Sequence, residues 1–245
     1  MQLTFENKTI DQLAIELIQA YEPPEGYYLG FSGGKDSVVI YDLTKRSGVK
    51  FQAYYNVSPI DPPQIHKFIK EYYPDVIWQY NAKNFWNKHV LSHGLPSRRH
   101  RWCCAIIKES GGGKDRTKIF GIRGAESSKR KGYKCFEKHG NIGYWLLPIH
   151  KWQDSDVWQY ITERQLKVCS LYSAGFTRIG CVLCPFAGKE EIKQSMILFP
   201  KIVACWRRAA EAYIIERTTN PKRKPLREDT KYHTGEEYFN WWIKR

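Results

Sequence analysis

Residues 27 to 43 read YYLGFSGGKDSVVIYDL, and the change of character within this stretch decides the fold. Its first five residues are apolar or glycine, a run suited to one short buried strand. Ser32, Gly33, Gly34, Lys35, Asp36 and Ser37 interrupt it, and then Val39, Ile40 and Leu43 suit a helix packed on a sheet, with Gly48 ending it. A strand running through such a turn into a helix presents consecutive backbone N–H groups at the positive end of that helix. That is an anion cradle. The glycines let the backbone approach phosphate, Lys35 adds a mobile positive charge, and the hydroxyls of Ser32 and Ser37 can donate to oxygens. Asp36 does not favour bare phosphate, so its use is to hold Mg2+ or to orient the loop. The segment matches neither G-x-x-x-x-G-K-[ST] nor G-x-G-x-x-G.

Working outward, Ile10, Ala14, Leu17, Ile18 and Tyr21 share one helical face, and Pro23-Pro24 stops that helix. FQAYYNV reads as a second strand. Pro62-Pro63 opens a helix with Ile65, Phe68, Ile69 and Tyr72 at i, i+3, i+4 and i+7, and DVIWQY reads as a third strand. Strands alternating with helices of this kind predict βαβ units, hence a mostly parallel sheet with helices on both faces. TKIFGI (117 to 122) and YWLLPI (144 to 149) continue the strand pattern around an acidic and basic loop. Residues 154 to 166 form a predicted helix with acids in its first turn, as the helix dipole prefers. From 186 onward the pattern is helical, broken by Pro200 and by TTNPKRKPLRED.

At 245 residues and 42% hydrophobic content, the chain can bury one substantial core, with room for an appendage. No run of eighteen apolar residues occurs, and the first twenty residues, Asp11 and Glu16 among them, lack the order of a signal peptide; a cytoplasmic protein without a membrane partner is expected. Thirty-nine Lys and Arg against twenty-five acids leave a formal charge of +14. The clusters at Arg98, Arg99 and Arg101, at Lys129, Arg130 and Lys131, and at Lys222, Arg223 and Lys224 favour polyanions such as nucleotide or nucleic acid. Each cluster taken alone is equally readable as a solvated basic surface.

Seven cysteines without a secretory signal do not make a disulfide framework. Their spacing carries more. Cys103 and Cys104 are adjacent, and Cys181 and Cys184 form C-x-x-C. Two such pairs can supply four ligands to one centre if the fold unites them. The centre could be zinc or an iron–sulfur cluster, and four unrelated buried thiols are the alternative. Arg101, Lys108 and Arg178 would offset thiolate charge and lower the cysteine pKa values. Cys135, Cys169 and Cys205 stand alone and read as structural or incidental.

The hexapeptide SGGKDS resembles the PP-loop of the ATP pyrophosphatase superfamily. That resemblance implies a Rossmann-like (adenine nucleotide alpha hydrolase-like) α/β fold that holds pyrophosphate in the loop and adenylates a substrate. The cysteine pairs downstream resemble the phosphoadenosine phosphosulfate (PAPS) reductase family, as do GIRGAESSKR, LLPIHKWQDSDVWQYI and DPPQIHKFIKEYYPDV. In the iron–sulfur members, adenylyl sulfate reductases and the DndC-like enzymes of DNA phosphorothioation, such pairs bind a 4Fe-4S cluster. The resemblance therefore implies that Ser32, Gly33, Gly34, Lys35, Asp36, Ser37 and Arg123 bind nucleotide, with Lys35 and Asp36 catalytic. It gives Glu126, Ser127 and Arg130 to the substrate pocket, and Cys103, Cys104, Cys181 and Cys184 to the cluster, zinc being the alternative. Trp152 and Trp158 are read as packing residues. The domain expectation is a PP-loop domain over 1–175 and a helical extension over 176–245 that carries the second cysteine pair.

Two departures matter. The reductases of this family attack sulfur with a cysteine near the C-terminus, whereas this sequence has none after Cys205; and they commonly lack the loop lysine that stands here as Lys35. Both point to ATP with Mg2+ and to adenylation for sulfur insertion, as in the DndC-like branch. Nucleic acid, DNA more than RNA, and a cysteine desulfurase or other sulfur donor are the expected partners. The competing expectations are a PAPS or adenylyl sulfate reductase that recruits its thiol from Cys135, Cys205 or a partner, a non-catalytic nucleotide-binding subunit, and an RNA or small-molecule sulfurtransferase.

Overall fold

A computed structural model describes residues 8–80, 82–113, 116–140, 142–223 and 232–244. In chain order its elements are α1 (Ile10–Ala20), β1 (Tyr27–Gly30), α2 (Lys35–Arg46), β2 (Phe51–Asn56), α3 (Pro63–Tyr72), β3 (Ile77–Gln79), a π-helical turn (Phe85–Val90), α4 (Leu91–His93), α5 (Trp102–Ile107), β4 (Lys118–Ile119), a 3-10 turn (Gly124–Glu126), α6 (Ser128–Lys131), β5 (Phe136–Lys138), β6 (Tyr144–Leu146), α7 (Asp154–Glu163), α8 (Lys189–Leu198), α9 (Pro200–Thr219) and α10 (Gly235–Ile243). They fall into two units. The first comprises the stretch up to Asn56, Pro63–Gln79 and Ser110–Ile179; the second comprises Val57–Pro62, Tyr80–Glu109 and the chain from Gly180 on.

In the first unit six strands form one sheet in the order β3-β2-β1-β4-β6-β5. All pairings are parallel except that of β5 with β6. The expected Rossmann-like, mostly parallel sheet is therefore present. Tyr27 and Leu29 of β1 are fully buried, which is why its apolar run reads so clearly. The chain proceeds from β1 to β2 and β3 on one side and later fills β4 and β6 on the other. Where strand order reverses, the loops leaving the carboxyl ends diverge and open a crevice. The Ser32–Gly34 turn lies there, directly after β1.

The edge strand β5 stands in a region without a predicted strand. Its three residues are too few to show a period; the stacking of Phe136 on Tyr21 and Tyr144, with centroids 4.3 and 5.3 Å apart, helps hold it in place. Helices α1, α2 and α7 are tied together by a polar chain. Arg46 Nη1 donates to Asp11 Oδ2 and to the Tyr160 hydroxyl, each at 2.9 Å, and that hydroxyl donates to Asp42 Oδ2 at 2.5 Å.

The second unit is helical, and its core is aromatic. Trp206 of α9 meets Trp86 and Trp242 with centroids 4.9 Å apart, and its indole N–H donates to the Val182 carbonyl at 3.3 Å. Pro200, read as a break, is the first residue of α9. Its fixed φ suits a helix start, where its missing N–H has no intrahelical partner to lose. Among the described residues no helix is long and apolar enough to cross a membrane.

Candidate functional site

The turn after β1 needs its glycines for different reasons. Gly33 has φ +74°, a left-handed conformation that an L side chain would strain, and an added Cβ would come 3.0 Å from Ile65 Cγ2. Gly34 is extended and forms the N-cap of α2. The Ser37 hydroxyl donates back to the Gly34 carbonyl at 2.8 Å, and Ser32 Oγ lies 3.2 Å from Ser37 Oγ. Two loop amides have partners: Gly34 N–H reaches Ser32 Oγ at 3.4 Å, a weak contact, and Lys35 N–H donates to Tyr172 Oη at 2.8 Å.

Beside the turn, two cations alternate with two carboxylates. Lys35 Nζ lies 3.0 Å from Asp154 Oδ1 and 3.3 Å from Asp36 Oδ2; Arg123 Nε lies 2.5 Å from Asp36 Oδ1, and its Nη2 is 2.8 Å from Asp154 Oδ1. The Lys35 and Arg123 side chains are 6% and 5% exposed, whereas that of Asp154 is 58% exposed. The cations are thus buried under a carboxylate that faces outward. Burial works to lower the Arg123 pKa, but Asp36, then Asp154 and Glu126, outweigh it and hold it above the ordinary value. Burial likewise opposes ionisation of Asp154, and Lys35 and Arg123 hold its carboxyl below the ordinary range.

Arg123 reaches the loop because of Gly121. A Cβ there would lie 2.6 Å from the Asp36 carbonyl oxygen, so only glycine lets this segment pass under the first turn of α2. Glu126 turns back, accepting the Arg123 N–H at 3.0 Å, and also pairs with Arg130. Ser127 caps α6 by accepting from the Arg130 N–H at 3.3 Å. Of the two arginines expected on this segment, Arg123 is brought to the turn and Arg130 is engaged by Glu126. Sequence reasoning missed Asp154, whose position in a helix first turn explained it locally, and Tyr172, which carries no motif signal of its own.

In the second unit, Cys103 and Cys104 follow Trp102 in the first turn of α5, while Cys181 and Cys184 sit in a tight turn closed by Cys184 N–H to Cys181 O at 3.1 Å. Cys103 is within electrostatic reach of the other three. Cys103 is raised by its hydrogen bond to Cys104, by burial, and by Cys104, Cys181 and Cys184 in turn. Cys104 is lowered by the same bond and, against burial, by Arg101 and Lys108. Burial pushes Cys181 up to about 12; Lys108 opposes this, and Asp61 and Cys184 add to it. The expectation that basic neighbours lower these thiols is thus met at Cys104 and corrected at Cys103 and Cys181, where burial and neighbouring sulfurs win. Cys181 and then, against burial, Asp61 raise Lys108. Asp61, only 8% exposed, is a further residue that the sequence reading missed. Four sulfurs beside a lysine and an arginine suit a thiophilic centre in chemistry. Among the described residues, however, no three or more His, Cys, Asp or Glu are grouped closely enough to hold a metal ion.

A family model described as the phosphoadenosine phosphosulfate reductase domain matches residues 26–187, a span that includes the turn, the charged quartet and all four paired cysteines. The chain belongs to this family. Within this PAPS reductase domain chain, an uncharacterized protein of Methanocaldococcus jannaschii is 31% identical over 199 residues, 76% of the chain and 41% of the relative. A probable FAD synthase of Schizosaccharomyces pombe is 25% identical over 173 residues, 65% and 60% respectively. The chain therefore spans less than half the length of the archaeal relative. The PAPS reductase of Candida auris, solved as a phosphate complex, superposes with TM-score 0.52 at 18% identity, covering 74% of this chain and 97% of that one, a likeness of fold.

The remaining sites of this PAPS reductase domain protein are quieter. Cys169 is fully buried and its thiol is raised by burial; Cys205 Sγ accepts from Arg208 at 3.2 Å. In the basic clusters, Arg98 Nε donates to Pro185 O at 2.8 Å, the Arg101 guanidinium lies over Phe186 at 5.1 Å, and Arg223 Nη2 donates to Leu91 O at 3.0 Å. Lys224 lies outside the described residues.

Proposed function

We propose that this PAPS reductase domain protein cleaves ATP to AMP and pyrophosphate, adenylating an acceptor for sulfur insertion. The observation that carries this reading is the meeting of Lys35 and Asp36, at the start of α2, with Arg123 and Asp154 from distant segments. The loop amides and Lys35 receive the departing pyrophosphate as an acceptor oxygen attacks the α phosphorus. Arg123 orients the phosphate chain. Asp36 and Asp154 are the carboxylates placed to hold Mg2+, which when bound neutralises phosphate charge. One relative is named a probable FAD synthase, whose product is an adenine dinucleotide, and this supports an adenine nucleotide at the loop.

Cys103, Cys104, Cys181 and Cys184 are the thiols that would hold a 4Fe-4S cluster, with zinc the alternative, but they would have to draw closer together than they stand here to do so; a loaded centre would supply sulfur-binding or redox chemistry. Placement in the DndC-like branch, with DNA as acceptor and a desulfurase as sulfur donor in the cytoplasm, rests on the paired cysteines and on the +14 charge. ATP–pyrophosphate exchange by the wild type, Lys35→Ala and Asp36→Ala tests the first half. Exchange in the wild type alone is expected; equal turnover without pyrophosphate in all three removes ATP activation. The family description favours a second reading, reduction of a sulfonucleotide, which sulfite release from labelled PAPS would reveal.

A further inference from the structure

The amide of Lys35 opens α2 and is among the donors that a helix start offers to an anion. Here it is taken. It donates to the hydroxyl oxygen of Tyr172, a residue 137 positions further along the chain, at 2.8 Å. The same oxygen stands 3.6 Å from the point where a Cβ on Gly34 would sit, so it lies directly over the glycine turn. The phenol is held from behind by Trp158, whose ring meets it edge to face at 5.1 Å and 88°. Trp158 belongs to α7, the helix whose Asp154 engages Lys35 and Arg123. Tyr172 and Asp154 thus supply the turn with an oxygen acceptor and a negative charge, the two properties that a phosphate group would bring.

We propose that Tyr172 is an internal ligand of the turn: its hydroxyl holds the amide that a phosphate oxygen takes on binding, and the incoming anion displaces it. The inference rests on the reading of the turn as a pyrophosphate site. A phenol oxygen is neutral, and burial moves the Tyr172 pKa further above the ordinary tyrosine value, so it stays neutral at physiological pH. A helix N-terminus prefers an anion to a neutral acceptor. The exchange therefore runs towards the ligand, yet the Lys35 amide is not left unmet before the ligand arrives. Tyr172 lowers the apparent affinity by the strength of the bond that must be given up. It is a positioning residue that sets how strong an anion must be to enter.

Calorimetric titration with inorganic pyrophosphate and Mg2+ tests this on the wild type, Tyr172→Phe and Lys35→Ala. Removing only the hydroxyl should tighten binding roughly two- to tenfold, the range expected for giving up one net hydrogen bond. A merely structural role would not tighten it. Equal affinity in the Phe variant overturns the proposal, and so does weaker affinity, which would mean that the hydroxyl donates to the bound ligand. A wild type that binds no pyrophosphate overturns the reading of the turn itself. In otherwise unaltered protein, fluorotyrosine at position 172 should shift its fluorine resonance on pyrophosphate addition; an unmoved resonance under saturation overturns displacement.

Discussion

Arg123 Nε lies 2.5 Å from Asp36 Oδ1, joining residues 87 positions apart across the carboxyl ends of β1 and β4. Parallel pairing of those two strands sends both following segments to the same end of the sheet. The guanidinium is almost wholly buried, so its two carboxylates are needed to balance it.

Arg123→Ala should therefore cost more stability than Arg130→Ala. Removing the guanidinium leaves Asp36 with the longer contact to Lys35, at 3.3 Å, so the loss is about 2–3 kcal/mol, below the roughly 3–5 kcal/mol of a fully buried pair left without a partner. Arg130 and Glu126 form a half-exposed i,i+4 pair worth less than about 1 kcal/mol. Urea denaturation of both variants decides it; equal losses would show that the quartet does not stabilise the first unit.

Gly121→Ala should disturb the turn without touching a charged group. The new Cβ meets the Asp36 carbonyl at 2.6 Å, so the first turn of α2 must shift. Overpacking of this kind costs about 1–3 kcal/mol, and pyrophosphate affinity should fall with it. Gly132→Ala, where the nearest atom is Lys129 O at 3.6 Å, is the control. Matching melting temperatures for the two variants would contradict the close approach.

The Asp11 carboxyl makes stability depend on pH. Burial works to raise its pKa, but hydrogen bonds from Thr9 and Arg46 lower it on balance. A depressed carboxyl contributes stability above its unfolded value of about 3.9, and that contribution is lost as pH falls through the lower folded value. Asp11→Asn should cost about 1–2 kcal/mol at pH 7, and its gap from the wild type should begin to close below about pH 4. Denaturation at a series of pH values measures this; a gap that widens on acidification reverses the sign.

Anaerobic purification followed by iron, sulfide and zinc analysis should find about four irons per chain, the content of one 4Fe-4S cluster. Cys104→Ser and Cys184→Ser should each lower that content, while Cys205→Ser should not. Stoichiometric zinc without sulfide would replace the cluster with a zinc centre.

Much of this was legible locally. The strand, turn and helix over residues 27 to 43 announce themselves because apolar period, glycine and helix start all fall within one short stretch. The helices at 10 and 63 and the cysteine spacings are equally local. β5 was not legible, because three residues carry no period and its position depends on aromatic partners from elsewhere. Asp61 beside Cys181 was not legible either, since no spacing links residues so far apart.

By itself, then, the amino-acid sequence determined that a glycine turn joins the first strand to its helix, and that four thiols come in two pairs. Propensity, φ preference and periodicity act over a few residues, so a single stretch suffices to show them. Only the tertiary structure decided that Arg123 and Asp154 close a charged quartet over Lys35 and Asp36, and that Tyr172 takes the Lys35 amide. Those meetings depend on strand order and on where α7 packs, which are properties of the closed sheet and of no segment alone.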